Sequence, residues 1–144
     1  MRVQFPDGVV VDAVSLRERK LEKSDRDFGL YMDPAWAPTW PAELIDWEDF
    51  GLPTEPAVAV EQIRAAYRRA EGGERVEVGC IGGLGRTGTV LACMAILAGV
   101  RPSEAVAWVR TSYRPKAVET PEQEAWVEAF AETLASREGR SAEA

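Results

Sequence analysis

The sequence contains no histidine and only two cysteines, Cys80 and Cys93. Structural zinc is thereby excluded as an expectation, because zinc sites draw on clustered Cys and His ligands, and two thiols are too few for a disulfide framework. Long apolar runs are also missing. Val90 to Val100, the longest, carries Gly99 inside it and falls far short of the ~20 residues that a bilayer span needs. The opening Met1-Arg2-Val3-Gln4-Phe5-Pro6 has no apolar signal-peptide core, so a cytoplasmic location is expected. Basic residues are outnumbered as well: 17 Lys and Arg against 24 Asp and Glu give a net charge of −7. Nucleic acid and anionic membranes, which demand a basic face, are excluded as main partners. Any anion bound here must be held by local geometry.

What is present fits one soluble domain. A chain of 144 residues buries roughly two thirds of its unfolded surface on folding, so residues 1–135 are read as a single domain and 136–144 as a frayed polar tail. Val3 to Phe5 and Val9 to Ala13 read as an edge hairpin turned by Pro6-Asp7-Gly8. Ser15 to Arg26 alternates charges and reads as a solvated loop or short helix, some of whose cations would otherwise stand at the rim of an anion site. Phe28 to Met32 is a strand, and Trp36 and Trp40 in the proline-rich stretch that follows pack as a plug or line a cleft. Leu44 to Trp47 reads as a second central strand. A helix capped by Thr54 and Pro56 runs to Ala70, with Val60, Ile63, Ala66 and Tyr67 on its apolar face. Val76 to Gly79 is a strand, Thr87 to Ala98 a helix stopped by Gly99, and Ser103 to Ser112 another helix. Thr120-Pro121-Glu122-Gln123 is a capping box opening a last helix through Trp126, Val127, Phe130 and Leu134.

Between the strand and helix that meet near residue 80 lies Cys80-Ile81-Gly82-Gly83-Leu84-Gly85-Arg86-Thr87-Gly88. Three readings compete for it. Gly83 to Gly88 fits the dinucleotide pattern G-x-G-x-x-G, but Arg101 to Tyr113 reads as helix where a second strand with an acidic end is required. A nucleotide P-loop fails because Cys80 stands at its first glycine and Arg86 at its lysine. The third reading uses every residue: Cys80, five residues and Arg86 form a loop that wraps a tetrahedral oxyanion. Backbone N–H groups and the helix N-terminus face the anion, the arginine fork grips two oxygens, and the thiolate stands beneath. Cys93, on an apolar helical face with Leu91, Met94 and Ile96, reads as a core residue, with a redox link to Cys80 as the alternative.

The stretch resembles the signature H-C-x-x-G-x-x-R-[ST]-G of the cysteine-dependent protein tyrosine phosphatases, which Gly79 to Gly88 matches at every fixed position but the first. Trp47-Glu48-Asp49-Phe50-Gly51-Leu52-Pro53 resembles the family's acid loop W-P-D-x-G-x-P, with Glu48 at the proline. Glu119-Thr120-Pro121-Glu122-Gln123 resembles its Q-T-x-x-Q loop. The order of these motifs excludes the low-molecular-weight phosphatases, and the length is that of the compact, dual-specificity branch.

The resemblance implies an α/β fold in which a central, mostly parallel twisted sheet is flanked by helices. It also implies a metal-free and cofactor-free phosphomonoester hydrolase acting on phosphorylated proteins, phosphotyrosine above all. Cys80 would be the nucleophile and Asp49, rather than Glu48, the general acid. Ile81, Gly82, Gly83, Leu84, Gly85 and Arg86 would hold the phosphoryl oxygens. Thr87 would stabilise the departing sulfur, and Glu119 or Gln123 would position water. Gly79 stands where the family has histidine, so activity is expected to peak at higher pH than in histidine-bearing members. The same departure motivates the alternative of a phospho-ligand binding module with weak chemistry. A phosphoinositide or other non-protein ester fits less well, because Ile81, Gly82, Leu84 and Gly85 offer none of the loop lysines common in lipid-directed members.

Overall fold

The computed structural model describes residues 1–19 and 25–143, with the side chains of the last helix as far as Arg137. Strand β1 (Arg2–Gln4) turns through Pro6-Asp7-Gly8 into β2 (Val10–Ser15), and Gly8 takes φ 91°, which a residue with a Cβ adopts only under strain. Next come β3 (Phe28–Tyr31), β4 (Ala42–Leu44), α1 (Pro56–Glu71), β5 (Val76–Cys80) and α2 (Gly85–Leu97). A 3₁₀ turn (Pro102–Glu104), α3 (Ala105–Ser112) and α4 (Pro121–Glu143) complete the chain. The strands form one sheet in the order β1-β2-β5-β3-β4, antiparallel at the β1 edge and parallel elsewhere. The expected fold class and the edge hairpin are both present.

Alternation along the strands divides the sheet into two faces. Val11, Ala13, Leu30, Met32, Val76 and Val78 lie in the main core with residues of α1, α2, α3 and α4. Tyr31 points the other way, joining Leu16 and Trp40 in a smaller cluster with Trp36 packed against it. The two tryptophans therefore plug the far face of the sheet. Glu77 is 1% exposed on that face. It accepts from Tyr31 Oη at 2.7 Å and Arg19 Nε at 3.0 Å, and Arg26 stands 3.5 Å away. Burial, and then Glu77 itself, push the Tyr31 hydroxyl's pKa well up, so it stays a donor. Of the charged stretch before β3, Arg19 and Arg26 turn to this carboxylate; residues 20–24 lie outside the described residues.

Four expectations are corrected. The strand expected over Leu44 to Trp47 ends at Leu44 and is an edge, not central. The chain leaves the sheet there because Trp47 closes a separate bridge with Pro53 and its carbonyl is taken by Arg86. The first helix has no side-chain cap: Glu55 is its N-cap residue, and the Thr54 N–H donates to Asp46 O at 2.9 Å. Only half of the capping box forms, Gln123 N donating to Thr120 Oγ1 at 3.1 Å. The tail expected to fray from Ser136 continues α4 to Glu143, where Glu, Arg and Ala are good helix formers. Arg137 pairs with Glu61 of α1.

In a parallel sheet the loops after the strands gather at one end. Leu16, Met32, the loop from Ile45 to Pro53, and Ile81 to Leu84 all follow carboxyl ends, so the candidate residues converge there.

Candidate active site

Cys80 ends the central strand β5, 2% exposed. The Thr87 hydroxyl, in the first turn of α2, donates to Sγ at 3.0 Å. Between them the loop Ile81–Leu84 is fixed from outside by its carbonyls. Leu16 N donates to Cys80 O at 2.8 Å, while Arg17 N at 3.1 Å and Ser15 Oγ at 2.7 Å share Ile81 O. Tyr113 Oη donates to Gly83 O. Burial raises the Tyr113 pKa, which keeps that donor protonated. A peptide whose C=O is held outward turns its N–H inward, so these clamps shape a cradle of amides at the positive end of α2. Gly83 has φ 70°, and a Cβ there would stand 3.1 Å from Ser15 Cα.

Arg86 is 3% exposed. Its Nη1 donates to Met32 O at 2.9 Å and to Trp47 O at 2.7 Å, fixing the guanidinium plane against the ends of two loops. Nε and Nη2 are buried without a hydrogen-bond partner among the described residues. The Asp49 carboxylate approaches Nη2 at 3.7 Å and accepts from Phe50 N at 3.1 Å. Asp49 reaches this point because its loop is closed at the neck by Thr54 N to Asp46 O and braced by Trp47 Nε1 donating to Gly51 O at 2.8 Å. Phe50, at φ 61°, makes the turn just after it. Asp46 and Glu48 are the loop's other exposed carboxylates, and Asp49 is the one that approaches Arg86.

Glu119 and Gln123 part company. A Cβ on Gly85 would collide with Glu119 Oε1, so this carboxylate lies over the first residue of α2, beside the cradle. It is held there by Val118, whose φ of 63° is strained for a β-branched residue. Arg110 clamps that kink, Nε to Ala117 O at 2.9 Å and Nη2 to Val118 O at 2.8 Å. Gln123 is fully buried, with both ends of its amide engaged.

The missing histidine has a steric counterpart. A Cβ at Gly79 would stand 2.8 Å from Val14 Cγ2 and 3.0 Å from Leu16 Cδ2, because β2 packs its side chains into the space a larger residue would need. Gly79→His is therefore expected to lower stability by about 1–3 kcal/mol, read as a drop in Tm. Adding Val14→Ala should recover part of it. A single variant as stable as the parent would show that Val14 and Leu16 yield freely. Cys93 is a core residue: it is fully buried on α2, burial pushes its thiol's pKa well up, and neither cysteine is disulfide-bonded.

Sequence reading did not single out Ser15 or Tyr113 for the site. The polar tip of a buried tyrosine, which must find a partner, is the signal that marks Tyr113. The sequence marks Trp47 as a strand end and a motif letter, whereas in the structure its carbonyl meets Arg86 and its indole braces the loop that carries Asp49. No cluster of three or more His, Cys, Asp or Glu that could hold a metal occurs among the described residues, and no described helix is long and apolar enough to cross a membrane.

Residues 11–131 match the family described as Protein-tyrosine phosphatase. An uncharacterized protein of Methanocaldococcus jannaschii, MJECL20, is 39% identical over 107 residues, covering 67% of this chain and 70% of its own. A second from the same organism, MJ0215, is 37% identical over 109 residues, 67% of this chain and 65% of its own length. Among solved structures, Tk-PTP in its active form superposes with TM-score 0.62 at 24% identity, covering 90% of this chain and 96% of that one. Human DUSP28 does so with TM-score 0.67 at 17% identity, covering 95% and 99%. These two likenesses are of fold.

Proposed function

The chain belongs to the protein-tyrosine phosphatase family, and from that footing we propose that it hydrolyses phosphomonoesters through a phosphocysteine at Cys80, with phosphotyrosine in proteins as substrate. The observation that carries this reading is the pair of buried donors Nε and Nη2 of Arg86, which have no hydrogen-bond partner among the described residues, the Asp49 carboxylate standing 3.7 Å from Nη2. Leaving such charged donors unmet is costly, and a bidentate oxyanion satisfies both.

In the first step the Cys80 thiolate attacks phosphorus and the S–P bond forms. The P–O bond to the leaving group breaks, and the departing oxygen takes the proton of the Asp49 carboxyl. The loop amides and Arg86 hold the three equatorial oxygens throughout. In the second step water attacks phosphorus and gives a proton back to Asp49. The S–P bond breaks, the Thr87 hydroxyl supports the leaving sulfur, and inorganic phosphate departs. Glu119, over Gly85, is the group placed to orient that water. Phe50 (59% exposed) and Ile81 (37%) give the neighbourhood of Asp49 and Cys80 two apolar side chains, a surrounding suited to an aromatic leaving group.

Rapid acid quench during turnover of a ³²P-labelled phosphotyrosyl peptide tests the reading. Label is expected on the peptide containing Cys80, in the S–P linkage of an S-phosphocysteine. Hydrolysis without label there, or with label on another side chain, overturns it.

A further inference from the structure

We infer that Gln123 is a positioning residue that holds the acid loop over the cradle, acting on Asp49 through the Gly51 carbonyl; the inference rests on the reaction proposed above. Gln123 is the last fixed letter of a motif from which water positioning was expected, yet its amide is committed elsewhere. Oε1 accepts from Glu119 N at 2.9 Å, and Nε2 donates to Gly51 O at 3.2 Å. Chemistry fixes the amide's orientation: a backbone N–H at one end demands the oxygen, and a backbone carbonyl at the other demands the nitrogen.

Gly51 lies two residues beyond Asp49, across the left-handed turn at Phe50. Its carbonyl takes two donors, Trp47 Nε1 from within the loop and Gln123 Nε2 from α4. The same helix supplies Trp126, whose ring stands 5.4 Å from that of Trp47. The loop is thus held at two places. Arg86 takes the Trp47 carbonyl two residues before Asp49, and Gln123 takes the Gly51 carbonyl two residues after it. With its side chain half exposed and its carboxylate, among the described residues, bonded to the adjacent Phe50 N–H and near Arg86, Asp49 owes its place to these backbone anchors. Gln123 also ties Glu119 N–H to the same amide, so the acid loop and the Glu119 loop are set in register by one side chain.

Glutamate at this position is isosteric and still accepts from Glu119 N, but its second oxygen would face the Gly51 carbonyl with nothing to donate. Gln123→Glu therefore loosens the acid loop selectively. Protonation of the leaving oxygen matters most when the leaving group is a poor one. The discriminating measurement is kcat/KM for two esters, phenyl phosphate, which needs the acid, and 2,4-dinitrophenyl phosphate, which barely does. Gln123→Glu is expected to lower the first by ~10-fold or more and the second by less than ~3-fold, part of the full range that a general acid contributes. Asp49→Asn should show the same selectivity more strongly. Inhibition by inorganic phosphate, which reads the cradle and Arg86, should stay within ~3-fold of the parent. Gln123→Met, lacking both bonds, is the second variant should the buried glutamate fail to fold, and the same selectivity is expected of it. An equal fall for both esters overturns the inference and reduces Gln123 to a packing residue. Failure of the parent chain itself to turn over either ester in a Cys80-dependent way overturns the underlying reaction, an outcome visible before any Gln123 variant is made.

Discussion

Replacing Arg86 by lysine is expected to lower kcat/KM for an aryl phosphate by about 10³-fold or more, with a far smaller change in Tm. The reasoning starts from what the guanidinium does at each nitrogen. Nη1 serves the protein, bonding the carbonyls of Met32 and Trp47 at 2.9 and 2.7 Å. Nε and Nη2 have no hydrogen-bond partner among the described residues, and the Asp49 carboxylate stands 3.7 Å from Nη2. A lysine ammonium has three donors on one atom, and the two carbonyls would draw it to the place of Nη1. The protein's own bonds would be largely kept, while the planar fork that grips two oxygens at once would be gone. Loss of a single well-placed transition-state donor costs ~10²–10³ in rate, and here two go together. Inhibition by inorganic phosphate should weaken in parallel. A lysine variant within tenfold of the parent would show that the open donors do not meet the transferring phosphoryl group.

The same arginine explains why some of this molecule was legible in the sequence and some was not. Cys80, the glycines and Arg86 are contiguous, so their geometry is a local property of a strand, a tight loop and a helix start. The five intervening residues fix which groups face inward. Asp49 became legible only through the letters around it, Trp47, Gly51 and Pro53, since nothing local says that residue 49 meets residue 86. Its placement depends on β4 lying two strands from β5, and strand order is a tertiary matter that periodicity does not encode. For the same reason Leu44 to Trp47 looked central: its apolar pattern is genuine, but Ile45 and Trp47 are buried in the main core after the chain has left the sheet. Glu77 was passed over as one polar letter in a strand, because the partners that make its burial tolerable, Tyr31, Arg19 and Arg26, come from distant parts of the chain. Gly79 read as a missing histidine. The structure gives it a positive reason, the close approach of Val14 and Leu16. Gln123 read as a partner of water because its motif suggested one, and only the contact across 72 residues of chain to Gly51 O shows what its amide holds.

Cys80→Ser is expected to abolish turnover, a loss of about 10⁴-fold or more, while inorganic phosphate binds at least as tightly as to the parent. Serine keeps the shape of the site, yet a hydroxyl ionises so much less readily than a thiol that amides, helix dipole and Arg86 together cannot make an alkoxide at neutral pH. The oxygen is also smaller than sulfur, so the Thr87 hydroxyl, 3.0 Å from Sγ, meets it less closely. None of the groups that grip an oxyanion is altered, and removing a thiolate beneath a phosphate dianion relieves a like-charge repulsion. Activity by steady-state hydrolysis and affinity by calorimetry therefore move in different directions. That divergence separates a catalyst from a module that merely binds: in a module, serine changes neither quantity much, because there is no turnover to lose. A serine variant that still hydrolyses its ester would place the nucleophile elsewhere. It would not place it at Cys93, which is enclosed on α2 in the core with its thiol held protonated by burial. Cys80 is thus the one thiol in the chain that stands at the cradle, and its replacement tests the chemistry without a second sulfur to take over.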